Sequence, residues 1–205
     1  YHRITDSETE IMVRSLDASR AVAVAAGTGT GGRPFWHPDG TRVCYTARRE
    51  TWCVSAAGGT PQRLSSGSAV FTPDGQSLLI VNYEGGVPRL SVSSPPGADP
   101  QPLESVALPE TTSALRVSPD GSKLLVLSQD GLWLVAYPSG GSRKVSTSDS
   151  ATVTSASWFP DSRHLLVSER TNSLRAYQVI IVDSESGARR VVRHDSDAIV
   201  SAALS

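Results

Sequence analysis

An all-β fold built from repeated four-stranded antiparallel units is what this sequence predicts, and three observations predict it. Pro-Asp recurs at Pro38-Asp39, Pro73-Asp74, Pro119-Asp120 and Pro160-Asp161, with spacings of 35, 46 and 41 residues. Every copy is flanked by short apolar runs with the length and Val/Leu content of strands. No stretch carries a sustained i, i+3, i+4, i+7 apolar pattern with caps, so helices are not expected.

The elements follow in order. Glu10–Arg14 and Arg20–Ala25 read as the third and fourth strands of a partial unit whose first two are missing, apart from a remnant at Tyr1-His2-Arg3. The first complete unit, 33–65, places strands at Phe35-Trp36, Val43–Tyr45, Thr51–Ser55 and Arg63-Leu64. The second, 68–103, places them at Val70-Phe71, Leu78–Val81, Arg89–Ser93 and Pro102-Leu103. The third, 113–146, has Leu115–Val117, Leu124–Leu127, Leu132–Ala136 and Lys144-Val145. The fourth, 154–193, has Ala156–Phe159, Leu165–Val167, Val179–Asp183 and Arg190–Val192. Ile199–Leu204 reads as one more first strand, so 1–27 and 199–205 are partial units. Between first and second strands, Pro presets φ and Asp bonds nearby backbone. Gly40, Gly75 and Gly121 accept the left-handed conformation that closes the turn, and Ser162 takes that place in the fourth copy. Four strands in about 41 residues describe the blade of a β-propeller.

Composition narrows the function classes. Nineteen basic and 20 acidic residues in 205 argue against a nucleic-acid specialist. With 39% hydrophobic and 19% charged residues, a disordered chain is excluded. No apolar run is long enough to span a bilayer, so no membrane insertion is expected. No Gly-x-Ser-x-Gly elbow, His-Glu-x-x-His pair or metal-spaced cysteine pair occurs, so no catalytic residue, metal or cofactor is expected. His2, His37, His164 and His194 are scattered, without partners at catalytic spacing. The four turn aspartates read as turn caps, and the tryptophans as packing between blades.

The run Ser118-Pro119-Asp120-Gly121-Ser122-Lys123-Leu124-Leu125-Val126, then Asp130-Gly131-Leu132-Trp133-Leu134 and Gly140-Gly141, resembles the WD40-like repeat of TolB-type β-propellers. The resemblance covers essentially the whole chain, and the Trp-Asp that ends the third strand of true WD40 repeats is absent. It implies one propeller domain over 1–205: either a closed five-bladed ring whose terminal pieces share a blade, or a fragment of a six-bladed one. It places the loops between second and third strands, and those after fourth strands, on one face. That face would carry Arg48, Arg49, Tyr83, Glu84, Arg170, Asn172, Arg175 and Tyr177, groups suited to a peptide, a carboxylate or a protein. By strand alternation Arg33, Ser68, Arg116 and Ser155 would line the channel, the two arginines making an anion site.

The function so implied is a non-catalytic binding or scaffold propeller for a protein, peptide or small polar ligand. Its setting would be a larger bacterial protein, such as a Ser/Thr kinase or TolB-type protein. The alternative is the gating propeller of a prolyl-oligopeptidase-like serine peptidase whose hydrolase lies outside this chain. A third reading is a lyase or hydrolase using channel carboxylates such as Asp195 and Asp197. Cys44 and Cys53 fall opposite each other about a two-residue tip at 48–49, at a site of close backbone approach. They are either a cross-strand disulfide, which would indicate an extracytoplasmic compartment, or two buried thiols.

Overall fold

The computed structural model describes residues 2–4, 9–17, 19–26, 34–145, 151–171 and 177–195. Ile199–Leu204 lie outside them. The described residues form antiparallel sheets joined by turns, without helix. The first sheet has three strands, β1 (His2–Ile4), β2 (Thr9–Val13) and β3 (Val22–Ala25). The next is β4 (Phe35–Trp36), β5 (Arg42–Ala47), β6 (Glu50–Ser55) and β7 (Gln62–Ser65), followed by β8 (Ser68–Phe71), β9 (Leu78–Glu84), β10 (Val87–Ser93) and β11 (Gln101–Pro102). The last two are β12 (Thr112–Val117), β13 (Lys123–Ser128), β14 (Gly131–Ala136) and β15 (Ser142–Val145), then β16 (Ala151–Trp158), β17 (His164–Thr171), β18 (Tyr177–Asp183) and β19 (Arg189–Asp195). Within each sheet the strands lie in chain order, so every connection is a hairpin. By their contacts the residues divide into two compact units, Tyr1–Asn82 with Ser91–Pro102, and Tyr83–Leu90 with Leu103–Ser205.

In the first unit, Ile11, Val24 and Ala25 of the first sheet pack against Val43, Tyr45, Ala47 and Val54 of the second. The opposite face of the second sheet presents Cys44 and Cys53 to Ala69, Phe71, Leu78 and Ile80. Successive side chains on a strand point to opposite faces, so a sheet covered on both sides needs a continuous apolar run. That is why Val43-Cys44-Tyr45 is buried without a break. Thr51, fully buried on β6, fixes the connector to β8: its hydroxyl donates to the Gly67 carbonyl (2.7 Å) and accepts from the Ala69 amide (2.9 Å). Gly67 passes so close to β9 that a Cβ would lie 2.6 Å from the Val81 carbonyl oxygen, which excludes any side chain there.

In the second unit, Leu125, Leu132, Leu134 and Val145 face Trp158, Leu165, Val167, Ile180 and Val182. Burying one such aliphatic side chain is worth about 1.5–3 kcal/mol, so this seam is a main source of cohesion. Trp36 departs from the expected packing, being 54% exposed, whereas its counterpart Trp158 is 8% exposed. Trp158 packs on the preceding four-stranded sheet, while the sheet preceding Trp36 contributes three strands among the described residues.

The turns behave as the repeat implies. Gly40, Gly75, Gly121 and Ser162 each donate an amide hydrogen bond back across the turn, to His37, Thr72, Ser118 and Phe159. Asp39 accepts from the Thr41 amide (2.8 Å), Asp74 from Gln76 (3.0 Å), Asp120 from Ser122 (3.0 Å) and Asp161 from Arg163 (3.0 Å). These donors favour the carboxylate. The Ser118 hydroxyl above all brings Asp120 from its ordinary 3.8 to about 2, and the His164 amide above all does the same for Asp161. Ser162 holds the left-handed conformation (φ 55°) that the other copies assign to glycine. Its hydroxyl accepts the Asp120 amide of the neighbouring turn at 2.9 Å, and its carbonyl accepts Lys123 Nζ at 3.3 Å. The strain is offset by a bond between turns that glycine could not make.

Two outcomes follow. Replacing Ser162 by Ala keeps the strain and loses the bond, so stability falls by about 1–2 kcal/mol. Ser162→Gly relieves one and loses the other, and urea unfolding should place it above Ser162→Ala. Depressed carboxylate pKa values make the folded state bind fewer protons than the unfolded one. The stability carried by Asp120 and Asp161 is therefore complete above 3.8 and is lost as pH falls toward about 2. Urea midpoints should drop across that window, and Asp120→Asn with Asp161→Asn should flatten the drop.

Candidate functional site

The hairpin tips between second and third strands carry most of the candidate residues, and each unit presents its own. In the first unit β5 and β6 pair from Arg42↔Ser55 to Ala47↔Glu50, leaving Arg48 and Arg49 as a two-residue tip. Both have positive φ, 52° and 64°, the geometry of a type I′ turn. That turn favours Asn-Gly, and each non-glycine residue in this region costs about 1–2 kcal/mol. The equivalent tip of β9 and β10 uses Gly85-Gly86, at 58° and 87°. Arg48 and Arg49 are exposed, and neither forms an ion pair among the described residues. Glu50, the adjacent carboxylate, is drawn aside by Arg63 of β7 at 3.0 Å, which leaves the tip positive.

The same hairpin is pinned from within. Cys44 and Cys53 face each other in register and their sulfurs are bonded, with Cα atoms 4.0 Å apart. Both are buried, against Phe71, Leu78 and Ile80. Closing a loop of nine intervening bonds in sequence is worth about 2–3 kcal/mol. The strained tip therefore stands on a cross-linked stem, which fixes the backbone from which the two arginine side chains project.

In the second unit, Tyr83 and Glu84 end β9. The Tyr83 hydroxyl donates to the Thr112 carbonyl, so this phenol is already occupied, while the residue stays 44% exposed. Arg116 on β12 is half-buried and donates to the Leu115 carbonyl at 3.1 Å. Ser68 is exposed and Ser155 buried, so the residues placed together by alternation do not share one degree of exposure. Arg170 and Tyr177 face each other across β17 and β18, at the base of the loop that contains Asn172 and Arg175. Asn172 and Arg175, like Arg33 and Asp197, lie outside the described residues.

Two features carry little signal in the sequence. Glu169, one residue before Arg170, is fully buried; it accepts from Gln178 Nε2 at 2.8 Å and lies 3.4 Å from Arg189. Only the fold reveals that this carboxylate, at the polar end of a strand, sits inside the sheet seam. Two of the four histidines have partners: His164 Nδ1 is 2.6 Å from Asp161 and His37 Nδ1 is 2.9 Å from Asp39. A Pro-Asp turn brings its aspartate to a histidine two or three residues away. Burial holds the His37 pKa below its ordinary value, with the Arg42 charge acting in the same direction. Arg163 grips Asp183 at 2.7 Å and holds its carboxyl well below the usual range. The carboxylates of Asp161 and Asp183 thus accept hydrogen bonds within and beside their turns. Among the described residues no cluster of three or more His, Cys, Asp or Glu could hold a metal ion.

No protein family matches this sequence, and no curated protein matches it. Solved structures do match in fold. TolB from Acinetobacter baumannii superposes with a TM-score of 0.72 at 17% identity, over 90% of this chain and 48% of its own. The nidogen/laminin complex gives 0.65 at 12% identity, over 90% of this chain and 73% of that one. An oligogalacturonate lyase in complex with manganese gives 0.64 at 16% identity, over 91% and 59%. This chain thus spans about half the length of the TolB structure. At these identities the likeness concerns architecture. The chain has the TolB-like β-propeller fold, with four four-stranded blades and a three-stranded partial one among its described residues.

Proposed function

We propose that this propeller is a non-catalytic recognition module that binds a protein or peptide partner, with the Arg48-Arg49 tip as an anchor for its carboxylates. The observation that carries the reading is the pair of arginines in a turn that disfavours them. Two positive-φ arginines cost stability that Asn-Gly would not, and strain of this kind concentrates where side chains are needed in one place. Guanidinium groups bind carboxylates in bidentate fashion, and a cross-linked stem removes part of the entropy cost of ordering the turn that carries them. The absence of a catalytic role is also proposed; it is supported by carboxylates and histidines committed to turns. Among the structures of similar fold, one was solved as a nidogen/laminin complex, which fits a protein partner. The disulfide favours an extracytoplasmic setting.

The decisive comparison is between the parent chain and an Arg48→Asn/Arg49→Gly double variant. The variant should unfold at higher urea concentration, by about 1–2 kcal/mol, because the tip strain is gone. On an array of peptides of mixed charge it should lose its preference for carboxylate-rich sequences, with binding weakened about tenfold or more. A variant that gains stability yet keeps the same peptide preferences would sink the reading.

A further inference from the structure

β19 is the outer strand of its sheet, and among the described residues no strand pairs with its far side. It is seven residues long, against four in β7, four in β15 and two in β11, the corresponding strands of the other four-stranded sheets. Folded chains keep such edges short, because a row of unpaired N–H and C=O groups invites another strand. This edge also has a distinct side-chain character. Arg189, Arg190 and Arg193 stand on it, with Val191 and Val192 each 52% exposed. The register shift opposite Val179 and Ile180 leaves both valines open to solvent instead of alternating inward and outward.

A cavity of about 380 Å³ opens beside the start of the strand. Phe159 and Ile181 give it an apolar lining, and His164, Asp183, Arg189 and Arg190 add polar groups. It exceeds the volume of any one side chain, so one can enter it with room to spare. An added strand would supply main-chain hydrogen bonds along β19, and the cavity would select one of its residues, the combination used in strand addition.

We propose that the open edge of β19 docks an extended, acidic segment of a partner protein as a fifth strand, with a carboxylate on Arg190 and one apolar side chain entering the cavity. Charge selects this occupant. A second copy pairing antiparallel along the whole strand would face Arg189 with Asp195 and Arg190 with His194, but it would also bring together two strands that each carry three arginines against one carboxylate, whereas an acidic strand meets no such repulsion. The surface lies in the second unit, so the proposal stands apart from the role assigned to Arg48 and Arg49.

The test uses the full 205-residue chain. Three short fluorescent peptides serve as probes: one alternating glutamate with valine, its lysine counterpart, and the acidic sequence with every backbone amide N-methylated. Anisotropy should show the acidic peptide binding at least about tenfold more tightly than either control. Amide exchange at 189–195 should slow when it binds. Arg190→Glu should weaken it about tenfold or more, whereas Arg48→Asn/Arg49→Gly should leave it unchanged. Equal binding of the N-methylated peptide would overturn the proposal, since strand addition needs those amides. Loss of binding in the hairpin variant, or a dimer cross-linked through β19, would overturn it as well.

Discussion

Register is the constraint on which this molecule rests, and the turn aspartates set it. A strand shifted by one residue turns its whole apolar set to the wrong face. Here both faces of the inner strands are covered, so a slip would also misplace Cys44, Thr51 and every group that joins one sheet to the next. The carboxylate in each Pro-Asp turn accepts amides two or three residues on, and the closing bond behind it, His37 to Arg42 or Ser118 to Lys123, fixes where the second strand begins. Because those carboxylates act while ionised, the geometry of the blades is tied to electrostatics at their turns.

Much of the architecture was legible because turns are written in residue types. Pro, Asp and Gly announce their conformations, and the apolar runs beside them are too short for helices. The opposition of Cys44 and Cys53 could be counted from the tip outward. The arrangement of Arg170 against Tyr177 was not legible, since it depends on how far β17 and β18 extend past their apolar centres. The sequence places Val179 in the strand but cannot tell that pairing continues to Tyr177. Glu169 was hidden for a related reason: a carboxylate near a strand end looks solvated until the neighbouring strand is in place. Ser162 shows the limit of reading a repeat from its consensus. In isolation it is a poor substitute for glycine, and its use lies in the neighbouring turn.

The two ends of the blades divide the work of the side chains. At the Pro-Asp ends, charges are consumed locally: Arg42 on Asp39, Arg163 on Asp183, His164 on Asp161. At the opposite end of its blade, the Arg48-Arg49 turn is strained and cross-linked below, and while Glu50 is taken by Arg63, the two tip arginines form no ion pair among the described residues. A propeller can vary such tips without disturbing its cores, because their side chains lie beyond the last paired residues. This is the physical sense in which fold and recognition are separable here.

The cross-link below the Arg48-Arg49 tip also changes what a break in the chain would mean. Two consecutive arginines at an exposed tip are the sequence that trypsin-like proteases cut. A cut between them would not release a fragment, because Cys44 and Cys53 keep the two strands in one covalent molecule. It would instead create a new carboxylate and a new amine at the tip, replacing a strained loop by two free ends on an intact stem. The hairpin is thus a place where the backbone is dispensable to connectivity, while its charge and conformation depend on it.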